Sequence, residues 1–413
     1  MIHPPSDAVN RAGPSGPVGP TGPRPLRRGR RLRQRALLAV LATVCAGLFG
    51  ASVPSGGGQG PQGWDGEGWS PLSARQAMRE LGRAMPLPAA QAQAQNQTLL
   101  QVARASADGA EPPRPPRPDP ARLDYGLQAR ALAPGVWVVE GRNEDFSRDN
   151  GCNIINTGFI ATGQGVVVIN TGPSRRYGEQ LRALIARTVA EPVVQVLHLN
   201  QHPDYFLGNQ AFADVPQLAT VSTRAGMTRE AKAYEDNLYR LCGDWMGGTE
   251  ARLPAQTIGA GPWRVGAREF VLHEYRGHTD SDLVLVDRRS GVAFVGGLVF
   301  ADRVPTTPHA DLPRWIASLQ TLQAAPGLRW LVPSHGPVRP GGADLAATAD
   351  YLRWMDRQFG LWAAAGLEMN EVLRAPVPAE FSRWAAWPTE WTRNVAHLYP
   401  RYERAALAAT VAR

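Results

Sequence analysis

Cysteine and histidine are both scarce: the chain has three of the first and eight of the second in 413 residues. Cys45 falls in an apolar leader segment, which leaves Cys152 and Cys242, so the remainder has room for one bridge at most. An even pair suits a single disulfide in an oxidising compartment, with two buried thiols as the alternative. Outside the leader there is also little charge excess. The formal charge is +8, but residues 1–35 carry eight arginines (11, 24, 27, 28, 30, 31, 33 and 35) against one acid, Asp7. Although the sequence pI is about 9.8, the basic footprint lies outside any folded candidate and has no aromatic interleaving, which excludes nucleic acid as a partner. There is no internal repeat.

One long apolar run is present. Directly after "RRGRRLRQR" comes "ALLAVLATVCAGLFGASV", residues 36–53, without a charge. A basic region, an apolar region and then small residues is the order of an export signal. Its 18 residues also reach the lower limit for crossing a bilayer, so an uncleaved inner-membrane anchor facing the periplasm is the alternative to a cleaved signal. Either way the expectation is a periplasmic or exported protein that meets the membrane only through this segment. Residues 54–120, with "GGGQGPQG", "AAQAQAQNQ" and "EPPRPPRPDP", predict a disordered linker in which only residues 73–85 suit a helix.

From residue 121 the texture changes, and 43% apolar residues overall suffice for a substantial core. "GVWVVEG" (135–141), "NIINTGFIAT" (153–162) and "GVVVIN" (165–170) read as short strands separated by turns. "PSRRYGEQLRALIARTVA" starts a helix at Pro173 and Ser174 and sets Leu181, Leu184 and Ile185 on one side. The strand "VVQVLHL" (193–199) follows. After a helical stretch at 223–241 come "EFVLHEY", "DLVLVD", "VAFVGG" and "WLVPS". Strand clusters alternating with amphipathic helices predict two packed sheets covered by helices over residues 121–345. Residues 346–413 predict a helical C-terminal extension in which Trp354, Trp362, Trp391 and Tyr399 form a packed face.

His202, His278 and His335 each stand in a glycine-bearing loop directly beside a strand, in "NQHPDYFLG", "YRGHTDSDLVLVD" and "WLVPSHGPV". Asp204 lies two residues beyond His202. Loops at strand ends can gather such nitrogen and oxygen ligands from distant parts of a chain, as zinc requires. A hydrogen-bonded polar cluster is the bland alternative. His198 suits a strand-end histidine, and the loop holding Asp302, Arg303 and His309 is expected to edge the pocket, with His309 at a helix start. "NLYRLCGDWMGGTE" (237–250) is a candidate lid or pocket wall.

These motifs in this order resemble the metallo-β-lactamase superfamily over roughly residues 130–340. Its His-x-His-x-Asp-His signature aligns with Asn200, His202, Asp204 and Tyr205. Its Gly-His-Thr motif is Gly277, His278 and Thr279, its late Gly-His-Gly is Ser334, His335 and Gly336, and its early Asp-Thr-Gly is Asn170, Thr171 and Gly172. The bridging aspartate falls on Gly297. The resemblance implies a four-layer αββα sandwich with the helical extension added. It further implies one zinc per chain held among His202, Asp204, His278 and His335. Asp204 would orient or deprotonate the attacking water, and Tyr205 and Asn200 would serve as oxyanion donors or weak ligands. Asp282 would brace its loop.

The implied activity is hydrolysis of an ester, thioester, lactone or amide in a small-molecule substrate. "CNIINTGFI", "INTGPSRRYGE", "HPDYFLGN", "GGLVFADRVPTTPHADL" and "RNVAHLYPRYE" resemble exported zinc metallohydrolase-like proteins associated with quinoprotein dehydrogenase systems, a branch also similar to a sulfur-oxidation metallohydrolase. That branch implies quinoprotein or cytochrome redox partners. The alternative is a catalytically silent binding or accessory protein for a periplasmic redox partner.

Overall fold

Residues 114–411 are described by the computed structural model. The leader, the apolar segment, the 73–85 helix and most of the linker expected from the sequence lie outside them. Among the described residues no helix is long and apolar enough to cross a membrane.

The first sheet begins with a meander, β1 (Arg130–Ala133), β2 (Val136–Val139), β3 (Thr157–Ala161) and β4 (Val166–Ile169). Its neighbours pair antiparallel, with Phe159 opposite Trp137 on one side and Val168 on the other. The strand expected at 153–162 is shorter at its start. There Asn156 turns its amide to the Pro333 and Gly336 carbonyls (3.0 and 2.8 Å) and accepts from the Gly141 N–H, so residues 153–156 tie the two sheets together instead of extending one. Helix α1 (Arg175–Thr188) follows. Ser174 caps it by accepting from the Tyr177 N–H at 3.1 Å, and Tyr177, Leu181, Leu184 and Ile185 recur on the buried face.

β5 (Val193–Leu197), the short helix α2 (Pro203–Phe206), β6 (Gln217–Ala219), α3 (Val221–Cys242) and β7 (Gln256–Thr257) complete this half. β4 to β7 run parallel. The second sheet is built from β8 (Gly261–Val265), β9 (Arg268–Tyr275), β10 (Asp282–Asp287), β11 (Val292–Phe300), β12 (Trp330–His335) and β13 (Arg339–Pro340), in spatial order β13-β12-β11-β10-β9-β8. Only its β11–β12 pair is parallel. Helix α4 (Leu312–Gln323) makes that crossover, capped by Asp311.

Three apolar clusters define four layers. Val136, Ile160, Val167 and Leu197 of the first sheet face Leu272, Leu283, Leu285 and Phe294 of the second across the inner core. On the outer face of the first sheet, Phe159, Val168 and Val196 meet Leu181, Ile185 and Leu238 of α1 and α3. On the outer face of the second, Val284, Ala293 and Leu331 meet Trp315 and Leu319 of α4, and with them α5 (Ala343–Ala364), α6 (Met369–Val372), α7 (Ala379–Ser382) and α8 (Thr389–Val411). The protein is therefore a four-layer αββα sandwich with a C-terminal helical extension, as the sequence predicts. Trp354, Trp391 and Tyr399 are core residues of that extension.

Cys152 and Cys242 are joined by a disulfide with 5.9 Å between their Cα atoms. The stretch at 237–250 is not a lid. Its first part is the end of α3, and Trp245 packs on Tyr125 (4.4 Å between ring centroids) in the outer core of the first sheet.

Candidate metal centre

Open sheets place ligands beyond the carboxyl ends of their parallel strands, and the histidines gather there. The loop after β4 is shaped first. Asn170 adopts a left-handed conformation (φ 59°), and its Oδ1 accepts the Leu199 N–H at 3.1 Å. Gly172, also left-handed, leaves no room for a Cβ, which would stand 1.9 Å from the Tyr177 ring. Thr171 donates its N–H to the Tyr205 carbonyl at 2.8 Å. Altered as it is from Asp-Thr-Gly, the segment still fixes the loop that carries His202 and Asp204.

His278 and His335 are each pinned from behind. Nδ1 of His278 lies 3.2 Å from Asp282 Oδ1, and Asp282 also accepts the N–H groups of His278 and Thr279 at 3.1 and 2.8 Å, the bracing role expected of it. Nδ1 of His335 donates to the Ile154 carbonyl at 2.8 Å. Both rings therefore carry the proton on Nδ1 and hold Nε2 bare, the tautomer that a backed metal ligand uses. The His278 Nε2 is buried with no hydrogen-bond partner. His335 Nε2 faces Asp204 Oδ2 at 3.6 Å, and that oxygen likewise has no hydrogen bond.

Burial dominates the electrostatics. It pushes the Asp204 carboxyl up to about 7 against the pull of Arg303. It holds His335 and His202 well below the usual histidine range, reinforced at His335 by Arg303 and at His202 by His278, His309 and His335. Below about pH 7 the Asp204–His335 contact is thus a contact between neutral groups and not an ion pair. Neutral imidazole is also the form that ligates a cation. Arg303 is fully buried, with its Nε on the Glu144 carbonyl at 3.1 Å and a guanidinium nitrogen 3.6 Å from Glu390.

Asn200 and Tyr205 are both fully buried. Asn200 accepts the His202 N–H at 3.0 Å and so braces that histidine, while its amide nitrogen lies against His278, 3.3 Å from Nδ1. The Tyr205 ring enters the inner core and its hydroxyl makes no hydrogen bond. Burial, and Asp204 after it, raise that hydroxyl well above the ordinary tyrosine value.

At Gly297, where the resemblance places a bridging carboxylate, a Cβ would meet His278 Nδ1 at 1.9 Å and Asn200 Nδ2 at 2.7 Å. The missing side chain's space is filled, so a dinuclear centre does not fit. Among the described residues no three of His, Cys, Asp or Glu stand as a ready metal-holding group. The donor chemistry nevertheless suits one cation: bare nitrogens on His278 and His335, and an unpartnered oxygen on Asp204 beside one of them.

His309 edges the site just before a helix, as expected, but sequence reasoning missed its partner. Asp311 caps α4, while His309 lies with Nδ1 3.0 Å from His202 Nε2, and His202 stands edge-on to His278 at 4.6 Å between centroids. The loop composition "TTPHADLP" marks a helix start but carries no signal of a partner 107 residues away. His198 is a strand-end histidine, but only half satisfied: Nδ1 lies 3.1 Å from the Tyr205 carbonyl, and Nε2 is buried without a hydrogen-bond partner.

The chain is similar to solved metallo-β-lactamases. One from Pontibacter korlensis is 23% identical with a TM-score of 0.45, the match covering 55% of this chain and 99% of that one. Another from Hirschia baltica is 19% identical with a TM-score of 0.44, covering 55% and 97%. No family model and no curated protein matches the chain. The class stated above, a four-layer sandwich with a histidine–aspartate cluster at its strand ends, rests on the sheet order and the site geometry.

Proposed function

We propose that this protein is a metal-dependent hydrolase of the metallo-β-lactamase type with a single zinc held among His335, Asp204, His278 and His202. The observation that carries the reading is the pair of pinned imidazoles, with His278 Nε2 and Asp204 Oδ2 buried without hydrogen-bond partners and His335 Nε2 3.6 Å from that oxygen. Buried polar atoms without partners are costly, and a cation that accepts their lone pairs removes that cost. Bound zinc would lower the pKa of a water toward about 7 and supply hydroxide for an ester, thioester, lactone or amide.

The chain's own residues do the rest. Asp282 and the Ile154 carbonyl hold the two rings in the ligating tautomer. Asn200 spaces His202 from His278. Asp204, neutral below about pH 7 in the metal-free chain, would give up its proton on binding the ion. The disulfide supports residence in an oxidising compartment. With the basic leader and the apolar run, it supports export to the periplasm, by cleaved signal or by anchor. The branch resemblance supports a place beside quinoprotein or cytochrome redox proteins.

A second reading, a metal-free accessory protein for such a partner, is favoured by one observation: His278 and Asn200 fill the space at Gly297. Metal analysis of the chain purified without chelator, beside an Asp204→Asn, His335→Gln variant, separates the two. About one zinc per chain, lost in the variant, is expected. No metal in either protein after zinc is added back would leave the accessory reading.

A further inference from the structure

The loop between β11 and α4 is strapped to the C-terminal helices more firmly than a connecting loop requires. Thr307 donates its hydroxyl to Asn394 Oδ1 at 2.7 Å, and Asn394 Nδ2 donates to the Pro305 carbonyl at 2.9 Å. Arg401 donates to the Ala310 carbonyl at 2.8 Å. The Val304 N–H donates to the Ala385 carbonyl at 3.1 Å, the Ala385 N–H returns to Asp302 at 2.9 Å, and the Asp311 N–H donates to Gly277, beside His278, at 2.8 Å. This frame fixes one side chain against the site: His309, whose Nδ1 is 3.0 Å from His202 Nε2.

Two imidazole nitrogens at that distance share one proton. The direction of sharing decides what His202 can do. His278 and His335 are backed through Nδ1, so each presents Nε2. His202 is backed through Nε2, so Nδ1 is its only ring nitrogen left for another partner. If Nε2 carries the hydrogen and donates to His309, the Nδ1 of His202 keeps its lone pair. If His309 donates instead, a neutral His202 carries its hydrogen on Nδ1 and has no lone pair to offer.

We propose that His309 is a positioning residue that accepts the Nε2–H of His202 and thereby fixes His202 in the tautomer whose bare Nδ1 serves the site. Its bearing on zinc rests on the hydrolase reading above; the tautomer itself does not. His309 then keeps its own hydrogen on Nε2. It does for His202 what Asp282 and the Ile154 carbonyl do for the other two rings, from a loop that the helical extension holds in place.

The test uses the full chain, with His309→Gln and His309→Leu. A glutamine oxygen can still accept from His202 Nε2–H, whereas leucine cannot. Long-range nitrogen–proton NMR of the imidazoles, without metal, should show His202 protonated at Nε2 in the wild type and in the glutamine variant, and a mixture or reversal in the leucine variant. Zinc affinity, read by competition with a chromophoric chelator, should drop about 10- to 100-fold with leucine and stay close to wild type with glutamine. A wild-type His202 protonated at Nδ1, or a leucine variant that keeps both tautomer and affinity, overturns the proposal. A wild type that binds no zinc defeats the hydrolase reading, while the NMR arm still decides the role of His309.

Discussion

The imidazole of His278 occupies the space that a side chain at Gly297 would need, with 1.9 Å between its Nδ1 and the ideal Cβ position. Gly297 lies within β11, where every residue is buried, and the ring facing it is held by Asp282. Gly297→Ala should therefore displace His278 and destabilise the protein by about 1–3 kcal/mol, the usual range for overpacking. Thermal unfolding reads the loss, and an unchanged melting temperature would mean that the ring moves aside freely.

Zinc should stabilise the chain by mass action. At about 100 times its dissociation constant, one bound ion adds about 2.7 kcal/mol. The rise in melting temperature should vanish with a chelator and be absent from Asp204→Asn, His335→Gln. A rise that survives in the variant would place the ion elsewhere.

His198 should make the protein acid-sensitive. Burial lowers it from about 6.5 to about 4, against the opposing pull of the Tyr205 carbonyl. Above about pH 6.5 neither the folded nor the unfolded chain binds the extra proton. Below it the unfolded chain binds a proton that the folded one refuses until about pH 4, so stability falls as pH drops through that window. The loss is on the order of 3 kcal/mol. His198→Asn, which can still donate to the same carbonyl, should flatten this part of the stability–pH curve. An unchanged slope in denaturant titrations would contradict the assignment.

Asn394 should matter to the site although it lies on α8. Replacing it with Ala leaves the Thr307 hydroxyl and the Pro305 carbonyl without their partner, at a cost of about 1–3 kcal/mol for each buried group left unpaired. Hydrogen exchange should accelerate over residues 303–311 while the inner strands stay protected. Uniform acceleration across the chain would point to global weakening instead.

The longer elements were legible because their residues declare a pattern, as in the fully buried "VVVI" of β4 or the recurring apolar face of α1, whereas the short β1, β6, β7, β8 and β13 were not. His202, His278 and His335 were legible as site candidates because each stands where a strand gives way to a glycine-bearing loop. The His202–His309 contact was not. It depends on a loop placed by α8, and no local pattern reports such a pairing. Nor could sequence show that the volume given up at Gly297 had been taken by His278 and Asn200, since that is a property of three segments packed together. The strand at 153–162 was overextended for a related reason: Asn156 has long-range partners that compete with the sheet ladder.

Reduction of the Cys152–Cys242 bond, or its replacement by a pair of alanines, should lower stability by about 2–5 kcal/mol, measured by denaturant unfolding with and without reductant.

That bond also divides the site into two covalent parts. It closes a ring of chain that holds Asn200, His202 and Asp204, while His278, His309 and His335 lie on the open tail that leaves the ring after Cys242. One proteolytic cut between residues 206 and 241, after the first motif, turns the ring into two arms that stay attached to each other and to the tail. The nicked molecule would migrate as a single band until a reductant is added, and only then would the first motif part from the histidines it faces.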